Sequence, residues 1–337
     1  MKNLCISVLQ GSVLGPILFL CFINDLWTVS NLFMLMFADD TSALKSGKNL
    51  HQLINEINFE LNKIAIWFRA NKLAVNVSKT KFIIFKNKGK TIPKHCPQVI
   101  FNANEPGEIP NPNLTYELER IHDQHPDPEK RYYKLLGINL DEHLTFNNHV
   151  DNLCKKLSRS LFCINRAKNF LNKKALKTLY FALIHSHLTY CPTILSGTSQ
   201  KNINKILLYQ KKAIRILTKS NYRDHTAPLF KNENILPYDK LVKHACIMFM
   251  HSVTHKYAPN SFSSMFTQID NLNVHNLRQD ELKTYEIPFP RTEKFKTSPV
   301  YLLSDLWNKT DINKFQPNRY TFSIYLKSSL LNVQAID

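Results

Sequence analysis

Residues 32–44 read LFMLMFADDTSAL, and the fold turns on how this stretch is read. Leu32 to Phe37 is an apolar run too short for a helix, Asp39-Asp40 interrupts it, and Thr41 to Leu44 resumes it. The pattern predicts strand, tight turn, strand. Two carboxylates about 4 Å apart repel by ~4 kcal/mol at an effective dielectric near 20. Presenting both from an apolar hairpin is costly unless cations sit there. Mg2+ is the natural candidate, since it takes hard oxygen ligands and keeps room for substrate phosphates. Taken alone, the pair is better explained as turn chemistry, because Asp tolerates left-handed backbone and hydrogen-bonds its own main chain.

Upstream stands Gln10-Gly11-Ser12-Val13-Leu14-Gly15-Pro16, which holds two of the chain's seven glycines. A residue without Cβ lets a backbone or ligand approach closely, so a bound nucleotide or template is looked for here; a helix-entry turn is the structural alternative. Pro16 to Trp27 reads as a helix apolar on nearly all sides, with Pro16 in its first turn, and such a helix belongs in a core. Met1, Lys2 and the run Val13–Ile23 have the outline of a secretory signal. The run is bounded by Gly15-Pro16 and by Asn24-Asp25, and it falls far short of the ~20 residues of a membrane span.

Downstream, Leu50, Leu53, Ile54, Ile57, Leu61, Ile64, Ala65 and Phe68 recur at three- and four-residue steps, predicting an amphipathic helix over 51–69. A strand is predicted over 81–85. Prolines at 93, 97, 106, 110, 112, 126 and 128 leave no room for regular elements of normal length, so 87–130 reads as a loop or linker. Tyr133 to Leu140 reads as a strand entering a turn at Asp141-Glu142. Three helical patterns follow, over 153–164, 176–184 and 203–217, with Asn172 and Ser199 as N-caps of the second and third.

The 337 residues are 44% hydrophobic and 21% charged, which excludes disorder and gives enough chain to bury a core without staples. Lysine and arginine number 44 against 26 acids, a formal charge of +18. Of the excess, 14 − 1 = +13 falls within residues 151–220, where Asp151 is the lone acid. Mixed-sign ion pairing cannot explain so one-sided a face, and a polyanionic partner can. Lys205, Lys212 and Lys219 recur at seven-residue steps opposite the apolar stripe, with Lys211 and Arg215 one turn apart. Seven cysteines without a Cys-x-x-Cys spacing argue against a disulfide framework or zinc ribbon and for a reducing compartment. The pairs His122/His125, His185/His187 and His251/His255 lack a ligand partner at a zinc-site interval.

Together, Gln10 to Phe19, Ile23-Asn24-Asp25-Leu26 and Phe37-Ala38-Asp39-Asp40-Thr41 resemble the reverse transcriptase of non-LTR (LINE-type) retrotransposons. Trp67-Phe68, Asn71-Lys72-Leu73, Asn76 and Lys79-Thr80 are similar to the segment that closes the palm in that family. Tyr133 to Ile138, on through Asp141 and Leu144 to His149, resembles its primer-gripping hairpin. Leu306-Trp307-Asn308 looks like its tail.

The resemblance implies an α+β fold: a partial palm at 1–86, the Pro-rich stretch at 87–130, a primer-grip hairpin at 131–149, a basic helical thumb at 150–250, and a C-terminal region at 251–337. It implies that Asp39 and Asp40 hold catalytic Mg2+ and that Lys79 sits near the leaving pyrophosphate. Gln10, Gly11 and Phe37 would meet template and nucleotide. Leu136 and Gly137 would form the primer grip, and Lys205, Lys211, Lys212, Arg215 and Lys219 would line the nucleic-acid backbone. The implied partners are an RNA template, a DNA primer duplex and deoxynucleoside triphosphates, with no membrane, in an intracellular ribonucleoprotein.

The family's third metal-binding carboxylate lies on a strand ahead of the Gln-Gly motif, and its fingers lie there too. This chain starts nine residues before Gln10, and Asp25 reads as structural, so the free-standing chain is expected to be inactive. Leu9 also stands where that family usually has proline. The competing reading is a non-enzymatic, basic nucleic-acid-binding remnant; a secreted basic protein is the more distant rival.

Overall fold

The computed structural model describes residues 12–332 apart from 94–96, 103, 105–110, 112–113, 270–283 and 311–315. The chain forms two compact units, Met1–Lys134 with Asp141–His143, and Leu135–Leu140 with Leu144–Asp337. Taken together the chain is α+β, and the first unit carries nearly all the strand.

In the first unit, α1 (Leu14–Ile23) leads through a 3-10 turn (Leu26–Thr28) into β1 (Phe33–Phe37) and β2 (Asp40–Leu44). The two strands pair antiparallel, Phe33 opposite Leu44 and Phe37 opposite Asp40, so the turn is only Ala38-Asp39. Ala38 takes φ +52°, a left-handed backbone that a Cβ disfavours by roughly 1–2 kcal/mol. Next, α2 (Leu50–Ala70) starts at Asn49, whose side chain accepts from the His51 and Gln52 N–H groups, two donors that the first helical turn leaves open.

Short strands follow: β3 (Lys81–Ile83), β4 (Ile100–Asn102), β5 (Thr115–Glu117) and β6 (Glu119–Ile121). β3 pairs with β6 in parallel, and β4 with β5 antiparallel. The Pro-rich stretch therefore holds only three-residue strands, yet it builds core. Val99, Phe101 and Leu118 bury against Ile54 and Ala65 of α2, while Ile23, Leu26 and Leu32 cluster with Ile64. One amphipathic helix thus organises two small cores.

The expectation that the first helix lies buried is overturned. Only Ile23 of α1 is buried, and Leu14, Ile17, Leu18, Leu20 and Phe22 are exposed. A helix apolar all round needs layers on every side. Among the described residues its Phe19 and Ile23 join one small cluster, built on Ile64, Trp67 and Phe68 of α2 with Met34 and Met36 of β1.

The strand expected over 133–140 is two, β7 (Tyr133–Leu135) and β8 (Ile138–Leu140), which pair in a small sheet. The tight turn falls at Leu136-Gly137 rather than only beyond Leu140, because both residues take positive φ, 44° and 86°, the geometry of two-residue hairpins.

The second unit is helical: α3 (Asn147–Ala167), α4 (Lys173–Tyr180) running through a π turn (Phe181–His185) into α5 (Ser186–Leu188), then α6 (Gln200–Thr218), α7 (Thr226–Glu233) and α8 (Tyr238–Thr254). After these come α9 (Asn260–Ser263), α10 (Glu293–Lys296), α11 (Pro299–Asn308) and α12 (Arg319–Asn332). Asn172 accepts from Ala175 N–H at 2.9 Å and Ser199 from Asn202 N–H at 3.4 Å, the caps read from the sequence. One continuous core joins Leu157, Ile164, Tyr180, Ile206 and Ile214 to Met250, Trp307 and Phe322. The C-terminal helices are thereby part of the same packed unit. No helix among the described residues is long and apolar enough to cross a membrane.

Candidate functional site

Asp39 and Asp40 occupy the tip of the β1–β2 hairpin. Asp39 is the second turn residue and Asp40 the first of β2. Both are exposed, and neither carboxylate makes a hydrogen bond or ion pair with another described residue. Phe37, directly across from Asp40, is 64% exposed. In a protein of +18 charge, two acids left without cationic partners on a tight turn are a donor set suited to a hard divalent ion. Two carboxylates fill only part of a six-oxygen shell. Among the described residues, no third His, Cys, Asp or Glu completes a ligand cluster with them.

The remaining residues of the expected site fall in three places. Lys79 lies in the first unit, exposed, in a turn organised by Asn76, whose side chain and carbonyl both accept from Lys79 N–H. Leu136 and Gly137 form the β7–β8 turn, closed by Tyr190, whose hydroxyl donates to the Leu136 carbonyl. Gln10 and Gly11 lie outside the described residues.

The basic residues separate into engaged and open groups. Lys205 pairs with Asp151, which holds its ammonium above the usual lysine range. Lys173 and Lys177 both reach the buried Glu233 carboxylate. Arg215 donates from Nε and a terminal nitrogen to the Asp224 carbonyl, at 3.1 and 2.9 Å. Lys155, Lys156, Arg159, Lys168, Lys174, Lys201, Lys211, Lys212 and Lys219 have no acidic partner among the described residues. Asp151/Lys205 joins the starts of α3 and α6, and Asn147 accepts from Asn202 Nδ2 at 2.8 Å nearby. Both basic helices therefore start together and run side by side.

The sequence reading missed a third cluster. Asp123, Glu142 and His143 bring one ligand atom each within 4.8 Å of one another. Glu142, almost wholly buried, meets Arg120 at 3.1 Å and Lys86 at 3.8 Å, and its other oxygen accepts from Asp123 N–H. His143 uses Nδ1 on the Lys86 carbonyl and faces Asp123 with Nε2. Lys86 and Arg120 already balance the two carboxylates, so the cluster pins the 141–143 segment to the first unit. Its only sequence signal was the run Asp141-Glu142-His143, which also suits a surface turn.

The first unit thus presents an exposed acidic hairpin tip, and the helices of the second carry lysines without acidic partners among the described residues. The chain's homologues are RNA-directed DNA polymerases of non-LTR mobile elements. The chain is 26% identical over 226 residues to the RNA-directed DNA polymerase from mobile element jockey of Drosophila melanogaster, covering 64% of this chain and 22% of that protein. It is 23% identical over 254 residues to the probable RNA-directed DNA polymerase from transposon X-element of the same species, covering 72% and 25%. A third relative, the probable RNA-directed DNA polymerase from transposon BS, is 26% identical over 240 residues, covering 68% and 24%. The chain thus spans about a quarter of the length of the curated relatives it matches. No family model and no solved structure matches it.

Proposed function

We propose that this chain is the palm-and-thumb part of an RNA-directed DNA polymerase of a non-LTR mobile element, acting on an RNA template, a DNA primer and deoxynucleoside triphosphates. The observation that carries the reading is the pair of unpartnered carboxylates, Asp39 and Asp40, on a strained two-residue turn. Residues 1–86 would be palm, the β7–β8 turn the primer grip, and the basic helices the thumb.

Asp39 and Asp40 would hold Mg2+. When bound, paired divalent ions activate a primer hydroxyl and steady the leaving pyrophosphate. The hairpin's part is orientation: a two-residue turn leaves each carboxylate little backbone freedom. Lys79, exposed and unpaired, would offer a cation or proton to the departing phosphate. The chain alone is proposed to be inactive. Two carboxylates are too few to fix the ions, and the exposed apolar faces of α1 support a reading in which further polypeptide completes the palm.

The test joins Mn2+ binding by electron paramagnetic resonance to primer extension on poly(rA)/oligo(dT) with Mg2+. Weak binding abolished in Asp39→Ala, without extension, is the expected result. Binding unchanged in Asp39→Ala and Asp40→Ala would overturn the metal assignment and favour the non-enzymatic nucleic-acid-binding alternative. Asp39-dependent extension by the purified chain would overturn the inactivity.

A further inference from the structure

At their C-terminal ends, α3 and α6 enclose a groove of about 570 Å³ within the second unit. Lys168, Lys212 and Lys219 line it together with Phe162, Asn165 and Tyr222. Helix dipoles account for part of this charge, since Lys168 and Lys219 are the C-cap residues of the two helices. They do not account for Lys212, which lies well inside α6, nor for the aromatic rings. Phe162 is 62% exposed and Tyr222 80% exposed, so both rings present their faces in the groove beside the lysines.

Tyr222 is also held in place. The Arg215 guanidinium sits 5.8 Å from its ring centroid and is itself fixed by two hydrogen bonds to the Asp224 carbonyl. The Asp224 carboxylate accepts from Asn221 N–H at 2.7 Å, bracing the loop that carries the ring. Arg215 is therefore a positioning residue rather than a free phosphate ligand.

We propose that this groove holds an unpaired stretch of nucleic acid, one base stacked on Tyr222 and the flanking phosphates on Lys168, Lys212 and Lys219. The inference rests on the polymerase reading for the class of partner, and it adds that this partner is single-stranded here. A duplex shows its phosphates outward but closes its base faces, so it would use the lysines and leave the rings idle. An acidic peptide would do the same. An unpaired strand offers π-faces and phosphates together, the combination that single-strand binding sites use. Asn165 adds an amide able to donate to or accept from a base edge. The volume matches the ~300–1,000 Å³ of sites that take small organic groups.

The test is fluorescence anisotropy of the full chain with labelled oligo(rU), oligo(dT) and an RNA–DNA hybrid of equal length. Tyr222→Ala is expected to weaken both single strands by about 5- to 150-fold, the loss of one stacked base, while hybrid affinity changes less than about twofold. Tyr222→Phe is expected to bind like the unmodified chain. Unchanged single-strand affinity in Tyr222→Ala would overturn the proposal, as would equal losses on strand and hybrid. Oligoglutamate binding with the same dependence on Tyr222 would make the groove a peptide site and overturn it too. Asp39 plays no part in this assay, so failure here leaves the polymerase reading standing, and failure of Asp39-dependent metal binding leaves the groove.

Discussion

The Tyr190 hydroxyl donates to the Leu136 carbonyl, and the same ring lies against Gly137. A Cβ on Gly137 would come within 3.3 Å of the Tyr190 ring, and the residue's φ of +86° already disfavours any side chain. A hairpin turn and a residue more than fifty positions later thus fix each other.

Gly137→Ala is expected to lower stability by about 1–2 kcal/mol, because it adds left-handed strain to a ring contact that must give way. Tyr190→Phe should cost about 1 kcal/mol, the value of one hydrogen bond. Urea denaturation of the two variants and of the double variant checks both. Since the ring and the turn form one unit, the double variant should lose less than the sum.

How far the sequence carried depends on whether a residue's job is local. Asn172 and Ser199 were readable as caps because a cap acts within three residues, and the hairpin at 33–44 was readable from a short apolar run interrupted by two acids. The core role of Val99, Phe101 and Leu118 was hidden, since these isolated apolar residues sit among prolines and find α2 only in three dimensions. The same holds for Glu142: nothing near it in the chain announces Arg120 or Lys86. The basic surface was visible as charge, but which cations are open was not. Only the structure separates Lys205, held by Asp151, from Lys212 and Lys219.

Glu60 provides a pH dependence. Burial pushes its carboxyl upward, but hydrogen bonds from Lys63, Asn31 N–H and Ser30 outweigh that and hold it down to about 2 from 4.5. A carboxylate whose folded pKa is depressed adds stability that is present above its unfolded value and is lost as pH falls toward the folded one. Stability is therefore expected to drop between pH 4.5 and about 2. Glu60→Gln should cost on the order of 1–2 kcal/mol at neutral pH and flatten that acid limb, read by denaturant midpoints across the range.

The C-terminal helices are expected to be indispensable to the second unit. Gly197 passes so close to the Thr297 carbonyl that a Cβ would approach it to 2.6 Å, and that atom is backbone, which cannot swing aside. Gly197→Ala should destabilise by roughly 1–3 kcal/mol through overpacking. Trp307→Ala, at a fully buried site, should cost about 3–5 kcal/mol. Thermal melts of both variants followed by circular dichroism test this. A chain that melted normally without Trp307 would show that α8 stands without α11.

Salt dependence separates the open cations from the engaged ones. Each lysine that neutralises a phosphate on a single strand releases condensed counterions, so it contributes about 0.7 to the slope of log affinity against log salt, and about 0.9 on a duplex. Lys212 and Lys219 are exposed and lack an acidic partner among the described residues, so Lys212→Ala and Lys219→Ala should each reduce the single-strand slope by about 0.7. Lys205 must first leave Asp151, and Lys173 must leave the Glu233 carboxylate. Their alanine variants are expected to change the slope by much less, because a cation already paired brings little net charge to the phosphate. Anisotropy titrations with oligo(rU) over a range of KCl concentrations give the slopes directly. If Lys205→Ala lowered the slope as much as Lys219→Ala, the strand would be displacing Asp151, and the nucleic-acid path would extend along the whole of α6 rather than gathering at its end.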